Sequence, residues 1–182
     1  KAMRVITGSA RGRRLKELEG LETRPTTGKV KEALFSVIQF DIEGRRVLDL
    51  FAGTGQLGIE ALSRGAESAV FVERRKDALQ AIRENLEACG FSDRARVVNG
   101  DAMSYLKSGE KFDLIFLDPP YGTGMLEKAM EIITEIDIVS ENGIIVCENG
   151  SSADWPAVKA PYRLQKDYRY GKIRTALYRR ET

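Results

Sequence analysis

The sequence predicts a doubly wound, Rossmann-like α/β domain: a mostly parallel sheet with helices on both faces and an antiparallel hairpin at its C-terminal edge. Apolar strands without strict polar alternation interleave with amphipathic helices, which is typical of a parallel sheet covered on both sides. Two of these strands run into sharp turns, at residues 53–58 and 118–121. The 182 residues, 42% of them hydrophobic, suffice for one core. We therefore expect a single domain over 1–182, in which 1–26 form a basic N-terminal appendage.

The N-terminal part of the chain is predicted to be irregular and basic up to its first helix. Residues 3–22 are expected to hold two short strands around a flexible basic loop. A helix should begin close to Thr26, because the residue before a proline avoids the helical region. Lys29, Lys31 and Glu32 fall outside the apolar stripe of this helix. The stripe recurs every three or four residues and consists of Val30, Ala33, Leu34, Val37 and Ile38.

From residue 46 onward, strand and helix patterns alternate. The predicted strands are 47–51, 69–72, 95–98, 112–117 and 143–147. The predicted helices are 56–64, 75–88, 102–106 and a fourth with an apolar face of Leu126, Ala129, Met130, Ile133 and Ile136. The end of the chain differs, since Tyr162–Tyr170 and Ile173–Arg180 flank a Gly-Lys turn. This pattern predicts the antiparallel hairpin at the sheet edge.

Composition excludes several classes of chemistry. The chain has no histidine, which removes Ser-His and Cys-His nucleophiles and most zinc sites, and we expect no bound metal. Cys89 and Cys147 lie in apolar patterns and are expected to be reduced, buried thiols. We find no pattern of a signal peptide or a membrane span. We therefore expect a cytoplasmic, monomeric protein.

Charge is segregated along the chain although the net charge is only +2. Residues 1–31 carry nine Lys or Arg and three Glu, and residues 155–182 carry eight basic and two acidic residues. The stretch 32–154 holds the remaining 12 basic and 22 acidic residues. Basic ends around an acidic centre favour a polyanionic partner at the ends and a cationic cofactor in the middle.

The first sharp turn reads G-x-G-x-x-G from Gly53 to Gly58, with Glu73 at the end of the next strand. This fingerprint fits a nicotinamide dinucleotide or S-adenosylmethionine, because both have a ribose whose hydroxyls an acid can bind. Asp49 would repel a pyrophosphate and favours the cationic methyl donor. Asp101 could accept a hydrogen bond from the adenine amine. The candidate cofactor-binding residues are Thr26, Asp49, Phe51, Gly53, Gly55, Glu73, Asp101, Ala102 and Asp118.

The second turn, Asp118-Pro119-Pro120-Tyr121, follows a buried strand and supplies the catalytic candidates. The two prolines stiffen the backbone and remove two N–H donors, so that carbonyls are left to face a pocket. The Asp118 carboxylate and the Pro119 carbonyl would accept the hydrogens of an exocyclic amine and stabilise the positive charge that grows during methyl transfer. Tyr121 would stack on the base.

These motifs resemble the RsmD family of bacterial 16S rRNA guanine-N2 methyltransferases over nearly the whole chain. The resemblance includes the opening Met-Arg-Val-Ile-Thr-Gly, Thr-Arg-Pro-Thr before Val-Lys-Glu-Ala-Leu-Phe, the Asp-Leu-Phe-Ala-Gly-Thr-Gly loop and the Asp-Pro-Pro-Tyr turn. It implies a class I methyltransferase sheet, S-adenosylmethionine as cofactor, and a guanine in 16S rRNA of an assembling 30S particle as substrate. Gly28-Lys29 departs from the family pattern, since many members have an acidic residue and an arginine there.

An RNA substrate gives the basic segment a role in binding phosphates. The candidates are Arg4, Arg11, Arg13, Arg14, Arg24, Lys29 and Lys31. The residues leave other functions open. The same turn also fits methylation of adenine N6 in DNA or RNA, or of a glutamine side chain. More remote alternatives are a nicotinamide oxidoreductase and a non-catalytic RNA-binding module.

Overall fold

A central sheet with helices on both sides organises the computed structural model, which describes residues 3–18, 28–150 and 154–182. The strands are β1 (Arg46–Leu50), β2 (Ser68–Glu73), β3 (Ala95–Asn99), β4 (Phe112–Leu117), β5 (Val139–Gly150), β6 (Tyr162–Tyr170) and β7 (Ile173–Arg180). The helices are α1 (Gly28–Val37), α2 (Gln56–Ser63), α3 (Lys76–Cys89), α4 (Ala102–Leu106) and α5 (Met125–Ile136). None of these helices is long and apolar enough to cross a membrane.

The strand order confirms the predicted fold class. The seven strands lie in the order β3-β2-β1-β4-β5-β7-β6, with β1 to β5 parallel and β7 antiparallel to both of its neighbours. The chain reverses direction across the sheet between β1 and β4, which is the switch point where open α/β sheets bind ligands. Strand β5 is longer than the predicted 143–147, and its register shifts opposite Phe112 and Leu114.

Two apolar layers hold the helices on the sheet. On one face, α1, α2 and α3 pack on inward side chains of the strands, and Phe35 of α1 lies 5.7 Å from Phe116 of β4 between ring centroids. On the other face, α4 and α5 pack on a second cluster that includes Leu48 and Ile115. Cys147 is buried in this second layer as a free thiol, and its burial raises its pKa.

The N-terminal segment 3–18, which belongs to the predicted basic appendage, contributes side chains to the core of the domain. Its residues Val5, Ala10 and Leu15 are buried in the layer of α1 to α3. Ser9 N donates to the Ser63 carbonyl at 2.8 Å, and a Cβ on Gly8 would stand 1.8 Å from that oxygen. The segment makes one isolated bridge, Arg4 to Arg14, in place of the predicted strands. A side chain at position 8 would prevent this close docking.

A buried ion pair fastens the same segment to α1 and α2. The Lys31 ammonium lies 3.1 Å from the Glu60 carboxylate, and neither side chain is exposed. Glu60 also accepts hydrogen bonds from the backbone N–H groups of Ile6 and Thr7 and from Arg64. Burial lowers the pKa of Lys31, and the carboxylate of Glu60 opposes that shift. The pair therefore joins three elements that lie far apart in the sequence.

Candidate active site

The carboxyl ends of β1 to β4 meet at one edge of the sheet beside a cavity of about 610 Å³. Register fixes this meeting, because Leu50 of β1 pairs with both Val72 of β2 and Leu117 of β4. The cavity is lined by Phe51, Gly53, Val72, Glu73, Arg74, Gly100, Asp101, Ala102, Met103, Ser104, Lys107, Pro120, Thr123, Gly124, Met125 and Lys128. Its walls thus combine apolar surface with two carboxylates and several cations.

The loop after β1 is shaped by unusual backbone angles. Phe51 has a φ of 62°, which is rare for a residue with a side chain, and Gly55 has a φ of 82° at the N-cap of α2. The buried carboxylate of Asp49 accepts a hydrogen bond from Gly58 N, 3.0 Å away in the first turn of α2. An anion already holds this helix terminus, which disfavours a pyrophosphate there.

Among the predicted cofactor residues, Asp49 is buried beside the first turn of α2. It is 2% exposed and does not line the cavity. In this structure its carboxylate instead holds the glycine loop to the start of α2 through Gly58 N. Phe51, Gly53, Glu73, Asp101 and Ala102 do line the cavity. Gly55 belongs to the loop but does not line the cavity, and Thr26 lies outside the described residues.

The Glu73 carboxylate, at the end of β2, binds the backbone of the glycine loop. One carboxylate oxygen accepts from Gly53 N at 2.8 Å, and the other accepts from Arg74 N and Arg75 N, both at 3.0 Å. A carboxylate offers about four acceptor sites, so these three contacts leave capacity for a ligand hydroxyl. Glu73 is therefore both the anchor of the glycine loop and an acceptor in the cavity wall.

Asp101 begins α4 as its N-cap. Its side chain accepts from Ser104 N at 3.0 Å, and this bond is the largest cause of a lowered pKa for Asp101. The Arg74 guanidinium lies 3.4 Å from the same carboxylate. Asp101 is thus ionised at neutral pH and lies at the rim of the cavity with the apolar surface of Ala102 and Met103 beside it.

The turn after β4 borders the cavity through Pro120. Asp118 is 8% exposed and Pro119 is buried, whereas Tyr121 is 38% exposed. The Thr123 hydroxyl donates to the Pro120 carbonyl at 2.8 Å, which fixes the end of the turn. A Cβ at Gly150 would lie 3.7 Å from the ring of Tyr121, so the ring lies beside the end of β5. The four predicted catalytic residues therefore form one corner between β4 and β5.

The sequence did not predict a second carboxylate at this corner. Glu148 is 4% exposed and follows Cys147, which pairs with Leu117 just before Asp118. The two acids therefore lie on neighbouring strands at the same level of the sheet. The cavity cations Arg74, Lys107 and Lys128 were also missed. The available signal for Glu148 was its position directly after the apolar run of residues 144–147, at the end of a predicted parallel strand.

The basic candidates separate into exposed and buried side chains. Arg4, Arg11, Arg13, Arg14 and Lys29 are exposed, and Arg24 lies outside the described residues. The structure contradicts the prediction for Lys31, whose fully buried ammonium pairs with Glu60 and donates to the Arg4 carbonyl at 3.1 Å. A phosphate has no access to this group.

Comparison with known proteins decides the family. The model of the family described as "Conserved hypothetical protein 95" matches residues 3–179. Ribosomal RNA small subunit methyltransferase D of Escherichia coli (strain K12) is 35% identical over 180 residues, which cover 98% of this chain and 90% of the relative. YlbH of Bacillus subtilis (strain 168) is 41% identical over 182 residues, which cover 98% of this chain and 99% of the relative.

The chain belongs to the RsmD family. The solved structure of Escherichia coli yhhF superimposes with a TM-score of 0.90 at 33% identity and covers 100% of this chain and 99% of the other. An RNA methyltransferase from Salinibacter ruber, solved with S-adenosyl-L-homocysteine, shares the fold with a TM-score of 0.67 at 17% identity, over 87% and 94% of the chains. This RsmD-family chain is accordingly a methyltransferase with a Rossmann-like class I fold.

Replacing Glu73 with Ala should weaken S-adenosylmethionine binding by this RsmD-family protein roughly 10- to 150-fold, because hydrogen bonds to a charged group contribute about 1.5–3 kcal/mol. Isothermal titration with the cofactor measures the effect. Glu67→Ala is the matched control, since Glu67 is an exposed acid at the opposite end of β2. Equal affinity for Glu73→Ala and the wild type would remove Glu73 from the cofactor site.

Proposed function

We propose that the protein transfers a methyl group from S-adenosylmethionine to the exocyclic N2 amine of a guanine in 16S rRNA. The observation that carries this proposal is the Asp118–Tyr121 corner, which borders the cavity through Pro120 at the carboxyl edge of the sheet. The Escherichia coli relative is named as a small-subunit rRNA methyltransferase, which supports the same substrate class here.

The residues that line the cavity match the chemical groups of S-adenosylmethionine. Glu73 and Asp101 supply acceptors for ribose hydroxyls and an adenine amine, and Val72, Ala102 and Met103 offer apolar surface to a flat ring. The anion held by α2 is the protein's own Asp49 carboxylate, so the loop favours a ligand without phosphates. When bound, S-adenosylmethionine supplies an electrophilic methyl group.

The chain's own residues prepare the acceptor nitrogen. The lone pair of guanine N2 is delocalised into the ring, which makes the amine a weak nucleophile. Acceptance of its N–H bonds by the Asp118 carboxylate and the Pro119 carbonyl draws the nitrogen towards a tetrahedral shape and stabilises its growing positive charge. The nearly complete burial of Asp118 strengthens this effect, because water does not screen it. Tyr121 holds the plane of the base by stacking.

Glu148 gives this corner a preference for guanine over adenine. Guanine presents donors at both N1 and N2, which match two neighbouring carboxylates, whereas adenine presents an acceptor at N1. An acceptor facing a buried carboxylate leaves both groups unsatisfied, which costs ~1–3 kcal/mol. The adenine-N6 and glutamine alternatives share the Asp-Pro-Pro-Tyr turn but not this match.

Transfer of a labelled methyl group to different acceptors tests the proposal. Immature 30S particles, DNA and a protein extract are offered separately with S-adenosylmethionine, and the labelled nucleoside is identified after digestion. We expect N2-methylguanosine in 16S rRNA of the 30S particles and background label in the other two. Label in N6-methyladenosine or in protein, with 30S particles left unlabelled, would assign the corner to another amine.

The setting of the reaction follows from its substrate. We propose that the protein acts in the cytoplasm as a single copy on a partly assembled 30S particle. The target base must be out of the stack to reach the corner. The exposed Arg4, Arg11, Arg13, Arg14 and Lys29 bind rRNA phosphates in this proposal.

A further inference from the structure

Two tyrosines on the edge strand β6 stack on each other at the surface. The ring centroids of Tyr168 and Tyr170 lie 6.3 Å apart with the rings 17° from parallel, and both side chains are partly exposed. The Lys166 ammonium lies 6.0 Å from the centroid of Tyr168. Edge strands usually carry charges or prolines that prevent pairing. An aromatic pair beside a cation is typical of surfaces that bind flat rings and phosphates.

The sheet register brings this pair to the same edge as the catalytic corner. Asp118 follows the end of β4 next to Glu148 of β5, and Glu148 pairs with Thr175 of β7. Thr175 in turn pairs with Tyr168. Three strand spacings therefore separate Asp118 from Tyr168, which amounts to roughly 14 Å. Nucleotides that flank a base held at the corner come within reach of the tyrosines.

The charge of the hairpin complements a nucleic acid backbone. Lys166, Arg169 and Lys172 are exposed around the tyrosine pair, and Lys172 lies in the turn at the catalytic edge. Asp167 is the nearest acid in the sequence, and it forms an ion pair with Arg174. The exposed charge beside the rings is thus mainly positive.

We propose that Tyr168 and Tyr170 form a stacking platform for unpaired RNA bases that flank the target nucleotide, with Lys166 and Lys172 contacting the phosphates. This inference rests on the proposed function in that it takes RNA as the substrate. Aromatic stacking tolerates any base, so the platform contributes affinity and positions the strand, while the choice of guanine stays with the corner.

Binding of a short, fluorescein-labelled single-stranded oligoribonucleotide of mixed sequence tests the platform without methyl transfer. The Tyr168→Ala/Tyr170→Ala variant should bind about 5- to 150-fold more weakly in an anisotropy titration, from the loss of one stacked base. Tyr168→Phe/Tyr170→Phe should retain wild-type affinity, because a phenyl ring stacks as well. Lys172→Gln should lower the slope of log affinity against log salt by about 0.7.

Phe40→Ala is the matched control, since Phe40 is an aromatic residue 88% exposed in the connection before β1, at the opposite edge of the sheet. Wild-type affinity in the double alanine variant, or an equal loss in Phe40→Ala, would overturn the inference. The readout also separates the two proposals. If the wild type methylated only DNA or protein while the double alanine variant lost oligoribonucleotide binding, the proposed function would be refuted and the platform kept. If the wild type methylated 16S rRNA while the double alanine variant bound the oligoribonucleotide with wild-type affinity, the platform would be refuted and the function kept.

Discussion

Asp118→Ala is expected to lower methyl transfer to 30S particles by roughly 100-fold or more, which is the scale for removing a group that stabilises transition-state charge. The carboxylate is 8% exposed, and the substitution removes its acceptor oxygens from the corner. Single-turnover transfer of labelled methyl to immature 30S particles measures the rate. Asp118 was also a predicted cofactor residue, but it does not line the cavity, so cofactor affinity measured by calorimetry should stay close to that of the wild type.

Asp113→Asn provides the control on the same strand. Asp113 lies at the amino end of β4, where it accepts hydrogen bonds from Arg46 N and the Ser140 hydroxyl, far from the corner. This variant should lose some stability and keep its methyl-transfer rate. If Asp118→Ala transferred methyl groups at the rate of Asp113→Asn, the carboxylate would have no part in activating the amine.

Glu60→Gln should destabilise the fold by about 3–5 kcal/mol, because it leaves the fully buried Lys31 ammonium without its opposite charge. The change is nearly isosteric, and the amide oxygen can still accept a hydrogen bond from Ile6 or Thr7. Urea denaturation followed by circular dichroism gives the free energy of unfolding. The double variant Lys31→Met/Glu60→Gln removes both charges and should recover much of the loss.

Glu84→Gln is the surface counterpart of this change. Glu84 of α3 pairs with Lys16 of the same N-terminal segment at 2.8 Å, but both side chains are about half exposed. The expected loss of unfolding free energy is much smaller than for Glu60→Gln, because solvent screens an exposed ion pair. If Glu60→Gln and Glu84→Gln lowered the free energy of unfolding equally, burial of the Lys31–Glu60 pair would not contribute to stability.

Local pattern was sufficient for the elements that carry their own signals. Strand β4 and the two strands of the C-terminal hairpin have the predicted bounds, because a hydrophobic run ends at Asp-Pro-Pro in one case and a Gly-Lys turn separates two β-rich runs in the other. The acids at strand ends were predicted to meet, and Glu73 and Asp101 do line one cavity. Parallel strands impose this, since their carboxyl ends share an edge.

Lys31 shows where local pattern was insufficient. A helical stripe sorts residues by their own polarity, and Lys31 was therefore assigned to the polar side of α1. Its partner Glu60 lies on another helix, in the apolar run Leu57–Leu62, and only tertiary packing brings the two charges together. The same limit applies to segment 3–18. Its many basic side chains predicted an exposed segment, whereas Val5, Ala10 and Leu15 are buried in the core.

In the proposed function, the corner of Asp118 to Tyr121 methylates a guanine amine of 16S rRNA in the cell. Mass mapping of 16S rRNA from cells that lack this gene, complemented with the wild type or with Asp118→Ala, tests it most directly. We predict that one N2-methylguanosine disappears with the gene, returns with the wild type and does not return with Asp118→Ala. An unchanged set of methylated guanosines in the cells that lack the gene would contradict the account.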